Sequence, residues 1–163
     1  MNNATRTYDY DVQNRLTRVT KDGAEVARYR YDPFNRRLWK DVTEAGVATR
    51  TWYHYCREGL LGEYARDAQQ NIVRTKGYGY LPGSAWGTNP LYLLTDEWDA
   101  EGAYYWYLND HLGTPKKLVD GGGLPVWEAE HKGFGEALTT LENVRNNLRF
   151  PGQYYDAETG LHY

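Results

Sequence analysis

The chain has 163 residues, one domain's worth, with 19 Lys/Arg against 22 Asp/Glu and a net charge of −3. So small and interspersed a charge excludes the clustered basic face of a nucleic-acid binder. Leu, Val, Ile and Phe make up about 18 % of residues, under the roughly 20 % at which disorder becomes an option, but disorder also needs high net charge.

The missing apolar area is supplied by 16 Tyr and 6 Trp, large side chains that also favour strands. The mean hydropathy of −0.83 fits strands with one wet face. Charge shifts mildly along the chain: residues 1–60 carry 11 Lys/Arg and 8 Asp/Glu, the remainder 8 and 14. Cys56 stands alone, so no internal disulfide forms.

In chain order, Met1 to Tyr10 holds no apolar run and reads as no signal peptide. Tyr10-Asp11-Val12-Gln13-Asn14-Arg15-Leu16 opens a repeat. It returns as Tyr31-Asp32-Pro33-Phe34-Asn35-Arg36-Arg37-Leu38, loosely from Tyr55 to Leu61, and again as Tyr155-Asp156-Ala157-Glu158-Thr159-Gly160-Leu161. Degenerate copies are anchored at Tyr80, Tyr107 and His131, giving seven anchors at 21 to 27 residue spacing.

One unit reads as two strands and two turns. Arg15 to Thr20 is the outgoing strand, Asp22-Gly23 a two-residue hairpin turn, and Ala27, Tyr29 and Tyr31 alternate with Arg28 and Arg30 on the return. Asp32-Pro33-Phe34-Asn35 is the second turn: Asp bonds its own backbone, Pro presets φ and Asn tolerates positive φ. Glu44-Ala45-Gly46, Asp99 to Gly102 and Asp120 to Gly123 are equivalent turns. Recurrence implies that the anchor Tyr packs between strands and the Asp organises the turn.

Gly77 to Thr95 is the longest uncharged stretch, but its glycines and prolines preclude a membrane helix. It reads as a loop and a short strand, Leu91 to Leu94. Leu138, Leu141 and Leu148 fall on one loose face and predict a short helix over 138–148. The expected fold class is all-β: stacked hairpins in one segment spanning residues 1–163.

Few residues offer chemistry. Ser84 lies in Gly83-Ser84-Ala85-Trp86-Gly87, without the glycine spacing of a nucleophile elbow. Cys56 occupies an Asp position of a degenerate repeat; pairing with His54 is the weaker reading. His54, His111, His131 and His162 lack metal-ligand spacing. Asp96, Glu97 and Asp99 are surface carboxylates without evident geometry for hydrolysis. Gly77-Tyr78-Gly79 lacks the third glycine of a phosphate loop. No catalytic, cofactor or metal residue is expected, and no enzyme.

The repeat resembles the YD repeat of the RHS family of bacterial polymorphic toxins. Tyr105-Trp106-Tyr107-Leu108-Asn109-Asp110-His111-Leu112-Gly113-Thr114-Pro115 resembles that family's aromatic block, and Leu148 to Asp156 with Thr159 to Tyr163 its final core segment. The resemblance spans nearly the whole chain and is weakest over 62–90. It implies β-hairpins wound into a hollow spiral around a C-terminal toxin, similar to the shells of insecticidal toxin complexes and the barrel of teneurins. It also implies partners: the rest of the shell, the enclosed toxin domain and secretion-system components. Synthesis in the bacterial cytoplasm and export within a larger effector follow from it. A family cleavage motif would come after Tyr163, so Asp156 is expected to be a turn residue and the chain not to cut itself.

The rival readings are a YD-repeat surface or carbohydrate-binding module, and an orphan enzymatic or immunity product for which no motif is present. Stacked repeats without caps are expected to self-associate. The all-β reading predicts a far-UV circular dichroism spectrum dominated by β-structure and aromatic bands; a strong helical double minimum would contradict it.

Overall fold

A computed structural model describes residues 4–95, 102–132 and 136–163. Its first twelve strands form one antiparallel sheet in which each strand pairs with the next in sequence. They are β1 (Arg6–Tyr10), β2 (Leu16–Lys21), β3 (Ala24–Tyr31), β4 (Arg37–Glu44), β5 (Val47–Tyr55), β6 (Leu60–Arg66), β7 (Ile72–Tyr80), β8 (Pro90–Thr95), β9 (Ala103–Asn109), β10 (Pro115–Val119), β11 (Pro125–His131) and β12 (Ala137–Glu142). A second sheet of β13 (Leu148–Phe150), β14 (Gln153–Asp156) and β15 (Leu161–His162) follows. No helix occurs among the described residues.

The turns are set by local chemistry. Asp22-Gly23 and Ala45-Gly46 have positive φ at both central positions, the geometry that matches strand twist. The Asp loops share one design. In Asp11, Asp32, Asp110 and Asp120, Oδ1 accepts the backbone N–H groups two and four residues on, at 2.8–3.0 Å. Asp67 accepts from Asn71 in the same way. The residue three beyond each Asp has positive φ: Asn14, Asn35, Gln70, Gly113 and Gly123. Of the expected Asp99 to Gly102 turn, residues 99–101 lie outside those described.

The anchors mark bends. The ladder register slips by one residue immediately before Tyr10, Tyr31, Tyr55 and Tyr80. Such bulges increase twist and bend the strand. The layer between strands is filled two residues earlier, by Tyr29, Tyr53 and Tyr78, all buried. Tyr80 and Tyr107 are buried too, but Tyr31 and Tyr55 are half-buried and Tyr10 is exposed. The packing role expected of every anchor thus belongs largely to its neighbour.

The predicted helix over 138–148 is absent. Thr139 and Thr140 favour the extended chain, and β12 pairs with β11 from His131↔Ala137 to Trp127↔Glu142. Asn143 and Val144 then both donate their N–H to the Val126 carbonyl, ending the strand. Leu138 is exposed and Leu148 buried, so the leucines share no face.

β13–β15 lie across the inner face of the large sheet. The Arg149 carbonyl reaches His131 on β11, and the Thr159 carbonyl reaches Arg6 on β1. Ten strand intervals span roughly 48 Å in a flat sheet. Ten residues fully extended cover at most roughly 36 Å, and these include a tight turn at Asp156–Gly160. The sheet must therefore wrap around the C-terminal unit. At one rim the wrap brings backbones into contact: a Cβ on Gly87 would sit 2.6 Å from the Gly152 Cα.

Tyr29→Ala is expected to destabilise by about 3–5 kcal/mol, as for a large buried aromatic, and Tyr31→Ala by distinctly less. Denaturant unfolding of the two variants checks the order; equal costs would place the packing role back on the anchor.

Candidate functional site

The seam between the sheet and the C-terminal unit is where buried polar groups concentrate. Cross-strand register puts Lys40 opposite Tyr29, and Glu63 opposite Tyr53, so both charges fall on the aromatic inner face. There they meet residues of β14 and the turn beyond it.

Asp156 takes the guanidinium of Arg37 in a two-pronged pair, with both N–O distances 2.8 Å, and the Lys40 ammonium at 2.9 Å. Lys40 also donates to both oxygens of Glu158, at 2.9 and 3.1 Å. Tyr29 and Tyr163 sandwich the Arg37 guanidinium, their centroids 4.5 and 4.1 Å away. Two cations and two anions thus neutralise one another beside the tyrosine rings. Burial pulls the Asp156 carboxyl upward, but Arg37 and Lys40 outweigh it and hold it below the usual carboxylate value. Burial likewise opposes the charge on Arg37, yet Asp156 keeps its pKa well above the ordinary value.

A second knot sits one strand pair further on. Glu63 accepts the hydroxyls of Tyr78 (2.5 Å) and Tyr154 (3.0 Å), and Tyr154 in turn accepts the Asn147 amide at 2.6 Å. Burial, reinforced by the Glu63 charge, pushes the Tyr78 and Tyr154 phenols well up, so both stay protonated donors. Tyr107 donates to Asn146, whose amide group also spans the backbone of Leu148. At the far end His131 Nδ1 faces Lys116 and Nε2 faces the Arg149 carbonyl, at 3.0 and 2.6 Å. A lysine donor at Nδ1 and a carbonyl acceptor at Nε2 match a ring that accepts at Nδ1 and donates at Nε2.

The residues singled out from sequence do not converge. Ser84 donates to the Thr88 carbonyl within its loop, and Cys56 Sγ leans on the Gly59 carbonyl at 3.5 Å. His54 stands beside Tyr64, with no bond to Cys56. His111 lies exposed in the Asp110 loop and His162 packs on Tyr155. Asp96, Glu97 and Asp99 lie outside the described residues. Gly79 serves packing: the Tyr92 ring occupies the space its Cβ would need. Asp156 closes a turn with its backbone, as expected, but its side chain leaves the turn for the ion cluster. The seam residues Arg37, Lys40 and Glu63 escaped the sequence reading, because isolated charges in alternating strands read as solvent-facing. Pairing the strands first would have exposed them on the tyrosine side.

Chemically the seam is a clasp. The carboxylates of Asp156, Glu158 and Glu63 accept donors on both oxygens.

Comparison with known proteins bears on this arrangement. The family model described as RHS protein matches residues 104–140. The chain is 28 % identical to Toxin protein Tse5 of Pseudomonas aeruginosa, across 94 % of this chain and 13 % of that protein. It is 29 % identical to Double-stranded DNA deaminase toxin A of Burkholderia cenocepacia, across 99 % and 12 %. It is 30 % identical to the tRNA nuclease WapA of Bacillus subtilis, across 96 % and 6 %. The chain therefore spans only a small part of each relative's length. Among solved structures it superposes on the Photorhabdus luminescens Tc holotoxin pore with a TM-score of 0.66 at 17 % identity, covering 97 % of this chain and 8 % of that one. The TcdB2–TccC3 crystal structure without its hypervariable C-terminal region gives 0.63 at 18 %, with the same coverage. These structural likenesses concern the fold.

Asp156→Asn removes one charge, leaving Arg37 without a carboxylate and Lys40 with Glu158 alone; a cost of about 3–5 kcal/mol is expected. The depressed Asp156 pKa also fixes a sign. Its contribution is present at neutral pH and is lost as pH falls below the unfolded value of 3.8 and through the lower folded one. Thermal melts from pH 7 downward should show a steeper loss below that point in the wild type than in Asp156→Asn; parallel curves would contradict the clasp.

Proposed function

Because this chain belongs to the RHS (YD-repeat) family, we propose that it is wall material of a hollow shell that encloses a toxin domain. The relatives it matches are named as toxins and as a tRNA nuclease. The observation that carries it is the wrapped sheet: a twelve-stranded wall bent around its own C-terminal unit, with the seam closed by charge pairs and tyrosine hydroxyls. A wall must be continuous and unreactive, and both are served by carboxylates engaged with donors and by a sheet in which each strand pairs with the next. In this reading the chain itself performs no catalysis, and whatever enzymatic activity the whole polypeptide has resides in the enclosed domain. The polypeptide is made in the cytoplasm and leaves the cell as one larger effector handled by a secretion system.

The sheet ends at β1 and β12, each paired on one side only among the described residues. Such edges are templates for further strands. In the full shell they continue into neighbouring repeats; in the 163-residue chain alone they favour self-association.

Two experiments follow. In the polypeptide that carries the toxin domain, Arg37→Glu should open the seam and expose that domain to trypsin, whereas the wild type protects it. Equal digestion of the toxin domain in both proteins, at the rate of the free domain, would defeat the shell reading. Light scattering of the chain alone should show oligomers that grow with concentration; a monomer throughout would mean that its edges are blocked.

A further inference from the structure

The two ends of the seam are held by different chemistry. At the β4 end Asp156 is an anion set between two cations, its carboxyl below the ordinary carboxylate value. At the β11 end the contact is an imidazole. His131 Nδ1 faces the Lys116 ammonium of β10 at 3.0 Å, and Nε2 lies 2.6 Å from the Arg149 carbonyl of β13. One ring serves both partners only while it is neutral, because Nδ1 must keep its lone pair.

The surroundings offer an imidazolium no compensation. Among the described residues Lys116 pairs with no carboxylate, and His131 is its side-chain partner. The other basic groups at this end are Arg149 and, on β15, His162, whose ring feels the charges of both Arg149 and His131. The nearby carboxylates are committed elsewhere. Glu142 of β12 holds Arg149 at 2.7 Å, Glu128 of β11 holds Lys117, and Glu136 holds Lys132 at 2.9 Å. Asp156 of β14 is held by Arg37 and Lys40. Glu130, beside His131 on β11, is exposed and alternates onto the opposite face. A proton on Nδ1 would therefore turn an accepting lone pair into an N–H aimed at an ammonium.

His162 adds to the same response. Partial burial and the Arg149 charge hold its pKa below the ordinary 6.5, with Asp156 pulling the other way. An opened seam relieves that restraint and lets the ring take up its proton. The stability that a closed seam draws from a neutral His162 is thus complete above pH 6.5 and is lost as pH falls below it.

We propose that His131 is an acid-sensitive latch: between roughly pH 7 and 5.5 its protonation frees β13 from β10 and β11, while the Asp156 clasp keeps the other end of the C-terminal unit in place. The seam then opens from one end only, since Asp156 stays ionised through this range. The latch belongs to the seam of this chain and is tested on the chain alone, so its failure and that of the enclosure reading are separate results.

The test is double electron–electron resonance between spin labels at two exposed positions, Glu130→Cys on β11 and Gln153→Cys on β14, in a Cys56→Ser background diluted with unlabelled chain. With His131 and Lys116 intact, one narrow distance is expected at pH 7.5. At pH 5.5 a longer population of comparable size should join it and vanish on neutralisation, with far-UV circular dichroism unchanged. Lys116→Gln replaces the ammonium by an amide whose carbonyl accepts the Nδ1–H, and should stay narrow at pH 5.5. His131→Gln cannot titrate and should give one distribution at both pH values. The proposal is overturned if acid leaves the intact latch unchanged, or if either variant responds to pH as fully as the intact latch does. It is equally overturned if the circular dichroism is lost along with the narrow distance, which would make the response global unfolding.

Discussion

Asp156 is the residue on which the structure closes. A single carboxylate near the chain's last turn holds Arg37 and Lys40 from β4, and through Lys40 it engages Glu158 as well. Without it Arg37 would have no carboxylate and Lys40 only Glu158, and an unpaired buried charge is far costlier than a paired one is beneficial. The pairing also dictates register. Arg37 meets both oxygens of Asp156 only when β14 lies at one position along the inner face, and that position brings Tyr154 to Glu63 and Arg149 to His131. The clasp thus specifies where the C-terminal unit sits, while aromatic burial supplies most of the cohesion.

Two features make the wrapping attainable. The bulges before Tyr10, Tyr31, Tyr55 and Tyr80 recur at one rim and bend successive strands there. The inner face then offers tyrosine hydroxyls and charges to a unit that is itself polar, with Asn146, Asn147 and Arg149 all buried. An aliphatic core would not have discriminated among registers so sharply. Its low aliphatic content is therefore consistent with the fold.

Much of this was legible in the residue order, for local reasons. An Asp followed three residues later by Asn or Gly writes its own loop, because the carboxylate bonds and the positive φ are both short-range. The same holds for Asp22-Gly23 and Ala45-Gly46. Asp67-Ala68-Gln69-Gln70 forms the same loop yet passed unnoticed, since Gln is a rare choice for positive φ. The errors have a common source. Leu138, Leu141 and Leu148 suggested a helix because spacing alone carries no information about Val126 capturing two N–H groups. The importance of Tyr29 over Tyr31, and of Arg37, Lys40 and Glu63, depends on contacts with residues more than eighty positions away or across a register slip. Such contacts belong to the tertiary structure and leave little local trace.

The central claim is that the sheet is wrapped around its C-terminal unit, and the separation of its ends tests that most directly. Spin labels at Thr7→Cys on β1 and Glu130→Cys on β11, in a Cys56→Ser background, sit at exposed positions. Double electron–electron resonance should give one narrow distance distribution centred below roughly 40 Å. A distribution at or beyond the roughly 48 Å of ten flat strand intervals, or one too broad to define a single separation, would contradict the account.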